Sequence, residues 1–260
     1  MDLKSTFVRV CAIAKNCLGY LVYLLFNLVF IVLAFAMYAL TIPCPKIRRK
    51  IISTSLQKTL ALILSILNFI GVASFKTRGR ENIFKSGNAI YVANHKSLLD
   101  SIFLLSLIPN AGIVVKASYT PLLAIGVLVK LFDFVAVDKN SNDSLAKARR
   151  DCKKLLAEGV SLIIFPESTR NPGARMLEFG SLAFRLAAET KLPIVPIAIL
   201  QNGTLLSKHK NAYFPNAKDS FTASFLPPIT DEDSEILLNS AQRQIMRGIA
   251  KLQSEQNHDA

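Results

Sequence analysis

The chain has 260 residues, of which 51% are hydrophobic and 19% charged, enough to build a sizeable α/β domain with an appended segment and too apolar for a disordered or acidic tail. Its 31 lysines and arginines against 18 aspartates and glutamates leave a net charge of +13, which suits anionic lipid headgroups, phosphorylated substrates and nucleic acid alike. The four cysteines, Cys11, Cys17, Cys44 and Cys152, form no CxxC pair, so neither a zinc site nor a disulfide framework is indicated and a reducing, cytoplasmic-facing domain is the simpler reading.

In chain order the first signal is a membrane one. From Leu18 to Pro45 there is no charged residue, and residues 18–42 exceed the roughly 20 apolar positions a helix needs to cross a hydrocarbon core. The run is longer than the ~7–15 residues of a signal-peptide core and no small-x-small cleavage site follows, so the segment is expected to stay attached. A second uncharged stretch runs from Thr59 to Phe75. The flanks are basic throughout: Lys4, Arg9 and Lys15, then Lys46, Arg48, Arg49, Lys50 and Lys58, then Lys76, Arg78 and Arg80. Two full spans would place the densest cluster on the wrong side of the positive-inside rule. Two arrangements survive. Either one helix spans and everything after Pro43 is cytoplasmic, or two helices dip as a hairpin into one leaflet with the basic flanks on anionic headgroups. A buried core helix of a soluble protein is the third reading, disfavoured by length.

After Arg80 the pattern predicts alternating strands and helices. Residues 88–93 read as a strand feeding a helix over 97–107, and an apolar run over 127–137 ends at Asp138 and Lys139. The NSNDS stretch offers N-caps for an amphipathic helix carrying Leu145, Ala148, Cys152, Leu155 and Leu156 and stopped by Gly159. Residues 161–165 form a continuous apolar strand broken at Pro166, and 179–189 read as a helix. Residues 194–200 and 221–226 read as strands, and 236–252 as a C-terminal helix before a polar tail holding His258. This alternation predicts a mostly parallel central sheet flanked by helices.

His95 lies in Ala-Asn-His-Lys-Ser-Leu-Leu-Asp where a strand ends and a helix begins, the place where open α/β sheets put ligand chemistry. Asp100, near the first helical turn, is placed to reach imidazole Nδ1, fix the tautomer and leave Nε2 free to take a proton. The competing reading is an aspartate favoured only by the helix dipole. There is no G-x-S-x-G elbow, and Ser97 and Ser101 suit the helix start, so direct transfer from a deprotonated substrate hydroxyl fits better than a covalent intermediate. The second candidate is Phe165-Pro166-Glu167-Ser168-Thr169-Arg170-Asn171, also at a strand's carboxyl end. Arg170 there offers a charged fork for phosphate, Thr169 and backbone N–H groups add donors, and Glu167 orients Arg170 or binds a substrate hydroxyl. Taken alone, this is equally a surface loop with an ion pair.

Together, Ala-Asn-His-x4-Asp, Phe-Pro-Glu-Ser-Thr-Arg and Ile194-Val195-Pro196-Ile197 resemble the 1-acylglycerol-3-phosphate acyltransferase family, over roughly residues 70–230. The resemblance implies N-terminal membrane-anchoring helices over 1–75 and an acyltransferase α/β domain over 76–260. It further implies transfer of a fatty acyl group from acyl-CoA or acyl-carrier protein to lysophosphatidate, giving phosphatidate, at the cytoplasmic face of the inner membrane. His95 would be the general base and Asp100 its partner. Asn94, Lys139, Glu167, Ser168, Thr169, Arg170, Val195 and Pro196 would bind substrate, with no metal and no cofactor beyond the acyl donor. Membrane lipids and the donor are the implied partners, and no motif supports nucleic-acid binding. Three positions depart from the family pattern: Lys139 stands for arginine, Ser168 for glycine, and Phe179-Gly180 lacks the lysine of Phe-Lys-x-Gly, for which Arg175 or Arg185 would have to substitute. They bear on the phosphate-carrying acceptor, so another lysolipid or a hydroxylated acceptor is the rival substrate, and a non-enzymatic lipid-binding surface protein the rival class.

Overall fold

The structure, a computed structural model, describes residues 45–84, 87–121, 129, 134–171, 173, 175–208 and 219–258, together with single positions between Thr6 and Val32. Most of the apolar run over 18–42 therefore lies outside the described residues, as do His209 and Cys44. In chain order the elements are α1 (Pro45–Phe69), β1 (Ala73–Arg78), β2 (Ile90–Ala93), α2 (Leu98–Leu107), β3 (Ala111–Lys116), β4 (Val135–Val137), α3 (Asn142–Ala157), β5 (Ser161–Ile164), α4 (Leu182–Thr190), β6 (Ile194–Asn202), β7 (Asp219–Phe225) and α5 (Ser234–His258).

The strands form one 7-stranded sheet in the order β1-β7-β6-β2-β5-β3-β4. Every neighbouring pair is parallel except β6 with β7, so β2 to β6 run one way and β1 and β7 the other. Alternation along the strands sorts side chains into two cores, because successive residues point to opposite faces. Tyr91, Ala93, Ile163, Val195 and Ile197 pack with α1 and α2, whereas Ile90, Val92, Leu162, Ile164 and Ile194 pack with α3, α4 and α5. The mostly parallel sheet flanked by helices expected from the βα alternation is what the chain forms.

Local chemistry explains the helices. Ser141 caps α3 by accepting the Ser144 N–H, and its buried stripe is Ala148, Cys152, Leu155 and Leu156, with Gly159 at φ 80 closing the end. Burial, with Asp151 adding to it, pushes the Cys152 thiol up to about 12, so this cysteine serves as a small core residue. α1 buries Ile52, Leu56, Ile63, Leu64 and Leu67 along one face and stops where the Val72 N–H reaches the Leu67 carbonyl at 3.0 Å, with Gly71 at φ 76. The uncharged stretch Thr59–Phe75 is thus no single apolar helix: it is the end of α1, a glycine turn and the start of β1. α5 continues to His258, past the expected end at Leu252. β1 and β3 stand where the sequence pattern predicted no strand.

Among the described residues one helical stretch, Arg49–Phe69, is long and apolar enough to cross a membrane. Its buried face belongs to the core shared with the sheet, and its outer face carries exposed Ile51, Leu62 and Phe69. The described positions between Thr6 and Val32 are helical, and Leu18, Leu21, Leu24, Leu25, Leu28 and Val32 are exposed. Gly19 lies against the end of α1, where a Cβ would meet Val72 at 3.3 Å and Leu67 at 3.4 Å.

Candidate active site

β2 and β5 are neighbours, but β2 leads to α2 on one face of the sheet while β5 leads towards α4 on the other. The divergence opens a crevice at the carboxyl ends of these two strands, the topological switch point where α/β sheets bind ligands. Asn94 and His95 leave β2 at this point, and Phe165 to Arg170 leave β5.

His95 and Asp100 meet there. The imidazole Nδ1 lies 3.0 Å from Asp100 Oδ2, with the His95 side chain 13% exposed and Asp100 fully buried. Asp100 Oδ2 also accepts the backbone N–H groups of Lys96 at 2.7 Å and Ser97 at 2.8 Å. The second of these is half of a capping box, completed by Ser97 Oγ, which accepts at the start of α2 and takes the Leu99 N–H at 3.1 Å. Asp100 thus caps the helix and holds the imidazole at once, and, being buried, it is not the exposed helix-start aspartate of the competing reading. A carboxylate accepts only, so Nδ1 carries the proton and Nε2 is left with a free lone pair. The Phe165 ring stacks on the imidazole, centroids 4.0 Å apart and planes inclined by 19°, and fixes the plane of the base.

Of its two expected roles, Glu167 does not take that of contacting Arg170. Its buried carboxylate accepts the His95 N–H at 3.2 Å, Asn171 Nδ2 at 2.9 Å and the Leu177 N–H at 3.0 Å, so it ties the β5 loop to the base rather than orienting Arg170. The Asn171 N–H returns to the His95 carbonyl at 2.7 Å, which joins the two motifs twice. Arg170 is held instead by the carbonyls of Leu206 at 2.9 Å and Ser207 at 3.4 Å. Thr169 Oγ1 meets Lys208 Nζ. Ser168 sits at φ 55, the left-handed conformation for which glycine is the easier residue.

Asn94 is buried and zips β2 to β6: its Nδ2 donates to the Ile199 carbonyl at 2.9 Å and its Oδ1 accepts the Ile199 N–H at 2.8 Å. Val195 and Pro196 lie buried within β6, opposite Tyr91 and Val92, on the strand stretch before the carboxyl end where the two motifs meet. Lys139 is exposed beyond the carboxyl end of β4, three strands from β2, or about 14 Å at ordinary strand spacing. The pattern reading missed Lys116, exposed at the carboxyl end of β3 and in register with Val137. It lies on the same sheet edge, between β5 and β4, and an apolar run ending in lysine was its one signal. Among the described residues no group of His, Cys, Asp and Glu side chains is placed to hold a metal ion.

A histidine base oriented by a buried carboxylate, beside an arginine and flanked by lysines on the same edge, suits removal of a proton from an acceptor that also carries an anion. Residues 74–200 match the family model described as Acyltransferase. More particularly, the curated relatives include 1-acyl-sn-glycerol-3-phosphate acyltransferases. One from Chlamydomonas reinhardtii is 32% identical over 60% of this chain and 47% of its own. One from Limnanthes douglasii is 33% identical over 61% and 55%. The alpha enzyme of Homo sapiens is 26% identical over 68% and 62%. The chain spans about half the length of the algal and plant relatives it matches. The crystal structure of PlsC, the 1-acyl-sn-glycerophosphate acyltransferase of Thermotoga maritima, shares the fold with a TM-score of 0.74 at 21% identity, covering 96% of this chain and 98% of that one.

Proposed function

We propose that the protein is a membrane-associated acyltransferase that moves a fatty acyl group from an acyl-CoA or acyl-carrier-protein thioester to the free hydroxyl of lysophosphatidate, giving phosphatidate. The observation that carries this reading is the His95–Asp100 pair at the switch point, tied through Glu167 and Asn171 to the loop that bears Arg170. His95 Nε2 takes the hydroxyl proton as the oxygen attacks the thioester carbonyl. The C–S bond of the tetrahedral adduct breaks, the new ester C–O bond remains, and the imidazolium returns the proton to the departing thiolate. No cofactor beyond the donor is required by this chemistry. Arg170, with Thr169 and the lysines at 116, 139 and 208 around the edge, supplies charge for the acceptor phosphate.

The membrane reading has its own support. α1 is anchored in the domain core by one face, which favours a pair of helices dipped into the leaflet over a second independent span. The exposed leucines of the N-terminal segment and the net charge of +13 suit the anionic cytoplasmic face of the inner membrane.

The test is acyl transfer from a labelled thioester, offered as both donor types, to a panel of lysolipids in detergent micelles. Transfer to lysophosphatidate is the expected result. Activity confined to another lysolipid or a hydroxylated acceptor would move the substrate assignment. No transfer from either donor would leave a lipid-binding surface protein.

A further inference from the structure

Arg170 takes its orientation from a loop outside both sequence motifs. The carbonyls of Leu206 and Ser207 hold its Nη1, the Leu206 carbonyl also accepts the Leu98 N–H at 3.2 Å, and the Leu205 carbonyl accepts Ser97 Oγ at 2.7 Å. Three consecutive carbonyls thus set both the cation of one motif and the first turn of α2, which carries Asp100 of the other.

The loop in turn is fixed by a buried acid beneath it. Asp219, the first residue of β7, is 2% exposed, and its Oδ2 accepts the Leu205 N–H at 2.7 Å and Gln201 Nε2 at 3.1 Å. Gln201 Nε2 also donates to the Leu205 carbonyl at 3.1 Å. The turn closes over the carboxylate through Gly203 at φ 120, where a Cβ would fall 2.2 Å from Asp219 Cγ. Burial pushes the Asp219 carboxyl up from its ordinary range while its hydrogen bonds draw it back. A buried acid that accepts both the Leu205 N–H and the Gln201 amide, which also bonds the Leu205 carbonyl, dictates the path of that loop.

We propose that Asp219 is a positioning residue for the acyl-acceptor site: through the 203–207 loop it sets the Arg170 guanidinium and the start of α2 so that a bound phosphate and the His95 base are in register. This rests on the acceptor reading above. Asp219 and Arg170 are joined by the loop, so their effects on acceptor binding should be coupled, whereas separate structural contributions would add.

The experiment uses the full chain in micelles with Asp219→Asn, which keeps the volume and removes the charge, with Arg170→Ala, and with the double variant. Loss of a charge-assisted contact predicts a KM for lysophosphatidate raised about tenfold in Asp219→Asn, with kcat lowered as the base loses register and the KM for the thioester changed less than about threefold. The further effect of Arg170→Ala should shrink in the Asp219→Asn background. Amide hydrogen exchange at Leu205 and Leu98 should quicken about tenfold in Asp219→Asn with the rest of the sheet unchanged. If Asp219→Asn fails to fold, Gln201→Ala, which leaves the carboxylate in place, should give the same pattern at smaller size. An unchanged KM, strictly additive effects, or unchanged exchange at both amides would overturn the proposal. If the wild type transfers nothing to lysophosphatidate the acceptor reading fails, and the exchange measurement still decides whether Asp219 holds the loop.

Discussion

Asp100 illustrates how much one side chain does in this site. One carboxylate oxygen takes the imidazole Nδ1 and two backbone N–H groups, so the base, the turn after β2 and the start of α2 are aligned by one buried charge. Ser168 is the opposite case, a side chain at a position where it adds strain. With φ at 55, replacement by glycine removes an unfavourable left-handed conformation, and Ser168→Gly is expected to be neutral to about 1 kcal/mol stabilising. Ser168→Val, β-branched at the same φ, should cost on the order of 1–3 kcal/mol, and thermal melts of the two variants check both signs. At this scale the sequence exposed the motif residues because histidine, aspartate and arginine at strand ends are chemically conspicuous. It did not expose Glu167's true partners, since a carboxylate beside an arginine in sequence implies an ion pair that the backbone geometry does not make. Asp219 was invisible for a related reason: its partners are the Gln201 amide and the Leu205 backbone N–H, which no spacing rule links to it.

At the scale of elements, α2 carries Asp100 of the dyad and its beginning is doubly secured. Ser97 Oγ both accepts the Leu99 N–H and donates to the Leu205 carbonyl, so Ser97→Ala removes an N-cap and a buried bond to the loop. A loss of about 1–2 kcal/mol is expected from denaturant titration, with the melting transition remaining cooperative. Helices with caps and amphipathic stripes were the most legible elements. α3 begins one residue after a Ser141 cap within the NSNDS stretch and ends beside Gly159, as its pattern implied. β1 was obscured because its apolar start continues the run that ends α1, and its Lys76 and Arg78 belong to an exposed edge strand, where charge is tolerated. β3 was obscured because six residues of Ala, Gly, Ile, Val and Lys after Pro-Asn carry no periodicity that separates strand from loop. With β3 unseen, Lys116 could not be placed on the site's edge.

For the whole molecule, the exposed apolar positions near the N-terminus and the outer face of α1 lie on a strongly basic protein, a combination suited to the surface of an anionic bilayer. Replacing Leu21, Leu25 and Leu28 together by serine should weaken co-sedimentation with phosphatidylglycerol-containing vesicles by about tenfold or more for each leucine, because each buried leucine is worth roughly 1.5–3 kcal/mol. Transfer in detergent micelles should be retained, since these positions are remote in sequence from both motifs. Equal vesicle binding by the variant would assign membrane affinity to charge alone.

The measurement that tests the account most directly is the rate of acyl transfer to lysophosphatidate by the wild type, His95→Ala and Asp100→Asn under identical micellar conditions, with the fold of each checked by circular dichroism. The account predicts a loss of about 100-fold or more in kcat for His95→Ala, a comparable or smaller loss for Asp100→Asn, and an unchanged spectrum for His95→Ala. A folded His95→Ala variant that turns over at the wild-type rate would contradict it.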